Sequence, residues 1–346
     1  MCVKKTLDYL IVGQGIAGSV LAFHLAQRKK TFCVIDKGHG EAASYVAAGV
    51  INPLVLKRMT LSWRAKEFLN YVHDFYPKMD EWLDILSFHK VTLNKLIHSN
   101  EEVDFWKKRW KLAELEEFAD YELKHTHEKH FKHDFVTGKV HNTAWIDLKL
   151  LLSSVRQQLK SEGQLIEERF DHLSLENHEY NGLQFDKIVF CEGSACVNNP
   201  FFNNLPYDLN KGELITIKAN LELDQIYKKK IFVIPLGKKL FRIGATYQKR
   251  HEKVYAPKLK QEELLKAFED LFNCPYEVVE QSSGTRPTVK DRKPLVGKHL
   301  LINNFYLMNG LGSRGCLMAP KLAEELLNLI EQGKPLSADA NIERFR

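Results

Sequence analysis

Residues 8–36 read DYLIVGQGIAGSVLAFHLAQRKKTFCVID. The stretch opens with a short, continuously apolar run, DYLIV at 8–12, as expected of a parallel strand covered on both faces. A glycine-rich turn follows, then a helical segment from about Gly15 to Gln27, then a second apolar run from Thr31 to Ile35. The order is strand, helix, strand.

Between the first strand and the helix lies Gly13-Gln14-Gly15-Ile16-Ala17-Gly18, a G-x-G-x-x-G. In that setting Gly13 serves the tight turn, Gly15 lets the backbone approach a pyrophosphate, and Gly18 lets helix and strand pack closely. The helix N-terminus offers unpaired amide hydrogens and the positive end of its dipole to phosphates. Asp36 closes the second strand eighteen residues beyond Gly18, where an acid hydrogen-bonds a ribose hydroxyl. Together these predict a dinucleotide-binding βαβ unit. The motif alone does not separate FAD from NAD.

Lys4 and Lys5 followed by apolar Leu7–Ala26 superficially imitate a signal peptide or membrane span. Asp8, Gln14 and His24 interrupt the run, and no small-residue cleavage site follows at the expected place. The segment is therefore expected to be a strand and helix of the mature fold, with no membrane span and a cytoplasmic location. A length of 346 residues allows two closely connected domains. The formal charge of +6 permits an anionic ligand or a nucleic acid without requiring either. Six cysteines (Cys2, Cys33, Cys191, Cys196, Cys274, Cys316) contain no CxxC pair, and read as reduced thiols, most of them buried.

Further along, residues 60–85 and 101–118 carry aromatic and apolar residues at helical spacing, among them Trp63, Phe68, Phe75, Trp106 and Trp110. These are expected to form a helical core. A helix follows Trp145 and ends at Gly163, a natural C-cap. Lys187–Cys191 reads as a strand, and the pieces of 211–247 suit antiparallel strands. Helices are expected over roughly Gln261–Phe272 and Gly315–Glu331, with Pro320 in the first turn of the second. The histidines His125, His127, His130 and His133 match no zinc spacing and read as a solvated connection.

Several segments resemble the D-amino-acid oxidase/glycine oxidase superfamily of flavoproteins. Ser44–Pro53 (SYVAAGVINP) is similar to its small-residue loop beside the cofactor, and Lys187–Ser194 (KIVFCEGS) to its later strand-plus-glycine contact. Lys211-Gly212-Glu213 and Arg242–Thr246 resemble pieces of its antiparallel substrate sheet. Gly284–Thr288 (GTRPT) with Asp291–Gly297 (DRKPLVG) resembles the segment carrying the substrate-carboxylate arginine. Gly310–Gly315 (GLGSRG) with Ala319-Pro320 resembles the turn into the last helix. The RPTxxDRxPLVG and GLGSRG pieces look most like one subgroup, the FAD-dependent oxidase half of the bifunctional tRNA 5-methylaminomethyl-2-thiouridine biosynthesis enzyme. The 346 residues read here contain no methyltransferase half, unlike that enzyme, and Asp36 stands where many family members use glutamate.

The resemblance implies an α/β chain: a Rossmann-like FAD-binding domain (1–58, 138–205 and 284–346) with an inserted α+β substrate domain (59–137 and 206–283) on an antiparallel sheet. It implies FAD as cofactor, held by Gly13, Gly15, Ile16, Ala17, Gly18, Asp36, Lys37, Ser44, Ala48, Gly49, Gly193, Gly284, Gly312, Ser313, Arg314, Gly315 and Cys316. Arg286 is the implied substrate anchor, since a guanidinium binds a carboxylate through two parallel hydrogen bonds; an ion pair with Asp291 or Glu280 is the competing use of it. Arg314 would add positive charge at the flavin edge, unless it is simply a surface arginine, and Tyr247 is a weaker substrate contact. No dedicated catalytic base is evident. The expected activity is oxidation of a primary or secondary amine or amino acid by hydride transfer to flavin N5. The rivals are a tRNA-modifying oxidase acting on carboxymethylaminomethyl-uridine and a non-catalytic flavin-binding subunit.

Overall fold

The computed structural model describes residues 6–345, apart from 41, 114, 127–128, 177 and 250–256. Cys2, Lys4, Lys5 and His127 therefore lie outside the described residues. Strand β1 (Leu7–Val12) pairs in parallel with β2 (Phe32–Ile35) on one side and with Leu183–Phe190 on the other. Its central position, covered on both faces, is the reason its sequence is apolar rather than alternating. Leu165–Ile166 extends the parallel order beyond β2, and Phe305–Asn309 extends it beyond Leu183–Phe190. Leu295–Lys298 adds an antiparallel edge.

Helix α1 (Ile16–Gln27) is buried from Ile16 through Leu25, hence apolar on every face. It is covered by the sheet, by the C-terminal helix Gly315–Gln332 and by the aromatic face of helix Ala65–Leu83, where Phe23 meets Phe75 edge-on at 5.2 Å. This enclosure accounts for the membrane-like look of the N-terminal sequence. No described helix is long and apolar enough to cross a membrane.

A nine-stranded, largely antiparallel sheet forms the second layer, with Asn210–Ala219 next to one edge of it, between Leu240–Gly244 and the edge strand Tyr276–Arg286. Strand alternation divides it cleanly. Ile215, Ile217, Phe241 and Ile243 face a separate core closed by Leu264 and Phe268 of helix Pro257–Glu269. The intervening positions turn towards the first domain layer. The strand Tyr276–Arg286 runs past residue 284 without a break, so Arg286 is held in this sheet.

Element boundaries differ from expectation where tertiary contacts intervene. Residues 60–61 are not helical: Thr60–Leu61 pairs with Leu54–Val55, and the helix begins at Ala65. The helix expected over 101–118 stops at Leu112. His125 and His133 are exposed, as a solvated connection requires, but Lys124–His125 also pairs with Val136–Val140 and Phe131 stacks on Phe272 at 4.8 Å. Pro320 lies in the second turn of its helix, not the first. A proline there removes the amide that the Cys316 carbonyl would accept from; the buried Tyr76 hydroxyl donates to that carbonyl instead, at 2.7 Å.

Candidate active site

The glycine turn shapes one end of a cavity of about 520 Å³ lying between the two layers. Gly13 adopts φ +99°, and a Cβ there would stand 2.6 Å from the Cys191 carbonyl oxygen. A Cβ on Gly18 would stand 1.9 Å from the Gly13 carbonyl oxygen, which closes off every residue but glycine. The N-terminus of α1 faces the cavity, and Ser44 Oγ accepts from the Ile16 amide at 3.1 Å. The Asp36 carboxylate is set by its surroundings. Oδ1 accepts from the Gly38 amide (2.7 Å) and from Arg156 Nη1 (2.8 Å), whereas Oδ2 accepts from the Gln14 amide (2.8 Å). An anionic oxygen has room for a second donor, so Oδ2 is the atom that fits a ribose hydroxyl.

Two residues to which the sequence reading gave no role at the site complete this end. Arg156, on helix Leu148–Ser161, pairs with Asp36 and also donates to Gln14 Oε1 at 3.0 Å. Gln14 is wholly buried and donates through Nε2 to Ser19 Oγ and the Leu152 carbonyl. The middle position of the motif thus ties the turn to a helix more than a hundred residues away. Nothing in the local sequence sets Arg156 apart from a surface arginine.

At the opposite end, Arg286 projects from its strand over Gly212, where a Cβ would come within 2.1 Å of the guanidinium. Its Nη1 donates to Asn210 Oδ1 (3.0 Å) and more weakly to the Thr246 carbonyl (3.4 Å), and the Tyr247 ring centroid is 5.7 Å away. Both acids that could have neutralised it are taken elsewhere: Glu280 by Lys149 (2.5 Å) and Asp291 by Arg344 (2.9 Å). Arg286 has no carboxylate partner among the described residues, and burial pushes its guanidinium below the usual range. Tyr247 is 54% exposed and stands at the mouth.

Arg314 caps the N-terminus of the C-terminal helix but turns inward, donating to the carbonyls of Asn52 (2.9 Å) and Leu54 (3.1 Å). It is therefore no surface arginine. Burial pushes its guanidinium down to about 10, and again no carboxylate answers it among the described residues. Asn309, also missed, is buried and donates to the Gly193 carbonyl at 3.0 Å. Every residue put forward from the sequence as a cofactor or substrate contact lines the cavity, except Gly18, which packs beneath the turn. Lys228 lines it too, with no signal in the sequence beyond a run of three lysines.

A glycine cradle shaped for diphosphate, an acid with an open oxygen at the ribose position and two helix N-termini along one cavity fit an extended flavin dinucleotide. Known proteins agree. A Bacillus subtilis protein, the uncharacterized oxidoreductase YurR, is 22% identical over 93% of this chain and 94% of its own length. The glycine oxidase of Geobacillus kaustophilus superposes with a TM-score of 0.78 at 19% identity, covering 96% of both chains. The iminodiacetate oxidase of Chelativorans sp. BNC1 does so with a TM-score of 0.76 at 18% identity, covering 96% of this chain and 97% of that one. The sequence model of the family described as FAD dependent oxidoreductase matches residues 8–329. The chain belongs to that family, and its cofactor is FAD.

Proposed function

We propose that this oxidoreductase oxidises a primary or secondary amine carrying a carboxylate beside the reacting carbon. One observation carries the reading: Arg286 is a desolvated guanidinium in the cavity wall, answered by an amide oxygen and a backbone carbonyl but by no carboxylate among the described residues. A partly buried cation without a counter-charge is costly, and a bidentate substrate carboxylate removes that cost.

Bound FAD supplies the two-electron acceptor for the hydride that leaves the substrate carbon. The amine, entering neutral, contributes its lone pair to the C=N bond that forms, and water then splits the imine into a carbonyl compound and an amine. Arg286 fixes the carboxylate and so the orientation of the C–H bond. Asn210 and Thr246 hold the guanidinium in place, and Gly212 leaves it the space to lie flat. Arg314 and the amides at the start of the C-terminal helix supply positive charge where the reduced cofactor would gain negative charge. The similarity to glycine oxidase and iminodiacetate oxidase supports the substrate class.

Anaerobic titration of the holoenzyme tests the reading, with glycine, sarcosine, D-alanine, proline and tRNA carrying carboxymethylaminomethyl-uridine as candidates. Bleaching of the flavin band by a small carboxylated amine is expected. Bleaching by the modified tRNA alone would transfer the activity to RNA, and bleaching by none would leave a flavin-binding subunit.

A further inference from the structure

Besides Arg286 and Arg314, the wall of the cavity holds a partly buried cation, Lys228, that the chemistry above does not use. Across the antiparallel sheet, Leu214 pairs with Gly244, Gly244 with Phe232 and Phe232 with Lys228. Directly opposed residues share a face, so Lys228 lies on the cavity side of the sheet, as Arg286 does. Its ammonium donates to the carbonyls of Lys229 (2.8 Å) and Lys230 (2.7 Å) and lies 4.9 Å from the centroid of the Phe232 ring. An ammonium has three donors, and one remains.

The charge around it is unbalanced. Lys95 is its register partner on the neighbouring strand. The nearby carboxylate, Glu102, is engaged by Lys229 at 2.5 Å and by the His98 amide. Lys228 and Lys95 make no ion pair among the described residues. Burial and the charge of Lys95 push the Lys228 ammonium down to about 8, which leaves it mainly protonated at neutral pH.

Building on the amine-oxidase reading, we propose that the substrate carries a second anionic group, carboxylate or phosphate, at the far end of an extended chain, and that Lys228 binds it. Four strand spacings separate the Arg286 and Lys228 strands, roughly 19 Å across the sheet at about 4.8 Å each. Two long side chains reach inward from those strands. A ligand spanning them is therefore longer than glycine or sarcosine, and Phe232 with Leu54 and Leu56 offers apolar wall to its methylenes.

The test uses the holoenzyme and ligands that cannot be oxidised. Straight-chain diacids, and phosphonocarboxylates of the same length, are titrated against monocarboxylic acids through the shift of the oxidised flavin spectrum. Binding about tenfold tighter for a doubly anionic ligand is expected. The preference should fall below twofold in Lys228→Met and persist in Lys228→Arg, with flavin content unchanged in both. The better of the two doubly anionic series names the second group. Equal affinities in the wild type, or a preference intact in Lys228→Met, would overturn the proposal. A preference that is lost in Lys228→Met, in an enzyme whose flavin no carboxylated amine reduces, would sustain the second anion site and remove the amine-oxidase reading.

Discussion

The two ends of the cavity are built on opposite principles. At the nucleotide end the contacts come from backbone: a turn whose glycines admit no Cβ, a helix N-terminus and one acid, all within residues 13–36. At the proposed substrate end the candidate contacts are side chains on separate strands, Arg286 and Lys228, with Arg314 reaching in from the start of the last helix. Charge is balanced at the first end, where Arg156 neutralises Asp36, and left open at the second. A ligand common to a whole family can be held by backbone, which all sequences share. A ligand peculiar to one enzyme has to be read by side chains, and the unanswered cations are where we propose that it is read.

Each end can be broken separately. The largest effect is expected from Gly18→Val, which drives a side chain into the Gly13 carbonyl; flavin content of the purified protein, read from its visible absorbance, should fall to a tenth or less. Next, Arg286→Met should keep the flavin but lower kcat/KM for a carboxylated amine by about 10²–10³-fold, since losing one partner of a desolvated charge pair costs roughly 3–4 kcal/mol. Loss of flavin instead would mean that the two ends are not independent. Arg156→Met should do the reverse, weakening FAD about tenfold by equilibrium titration while leaving KM for the amine within twofold.

A smaller effect belongs to pH. Lys228 faces Lys95, the Glu102–Lys229 pair and the Phe232 ring. Its charge is present below about 8 and is lost above it. The preference for doubly anionic ligands should therefore shrink several-fold between pH 7 and pH 9, while binding of monocarboxylic acids through Arg286 changes little. The smallest functional effect is expected between the ends. Tyr76→Phe strands the Cys316 carbonyl, at a cost of roughly 1–3 kcal/mol and a Tm lower by a few degrees, with KM unchanged.

Legibility in the sequence followed the same divide. β1, the turn, α1 and β2 could be read almost to the residue, because glycine spacing and a fully apolar strand leave few alternatives. The helix ends at Leu112 and Ala65 and the pairing of Thr60–Leu61 could not, since the chain there follows partners distant in sequence. Arg286 and Arg314 were put forward through family resemblance rather than spacing. Arg156, Asn309 and Lys228 carried no mark at all, because an arginine on an amphipathic helix or a lysine in KKK has the composition of a solvated surface.

The sequence by itself determined that a βαβ unit with a phosphate-binding turn begins this fold and that its first strand would be covered on both faces. These are consequences of local sterics and of apolar content, both written in contiguous residues. Only the tertiary structure decided which cations are left without a counter-charge. That depends on where every acid ends up: Glu280 goes to Lys149, Asp291 to Arg344 and Glu102 to Lys229. Electrostatic balance is a property of the folded neighbourhood, and in this protein it is the open charge at Arg286 and Lys228 that points to the substrate.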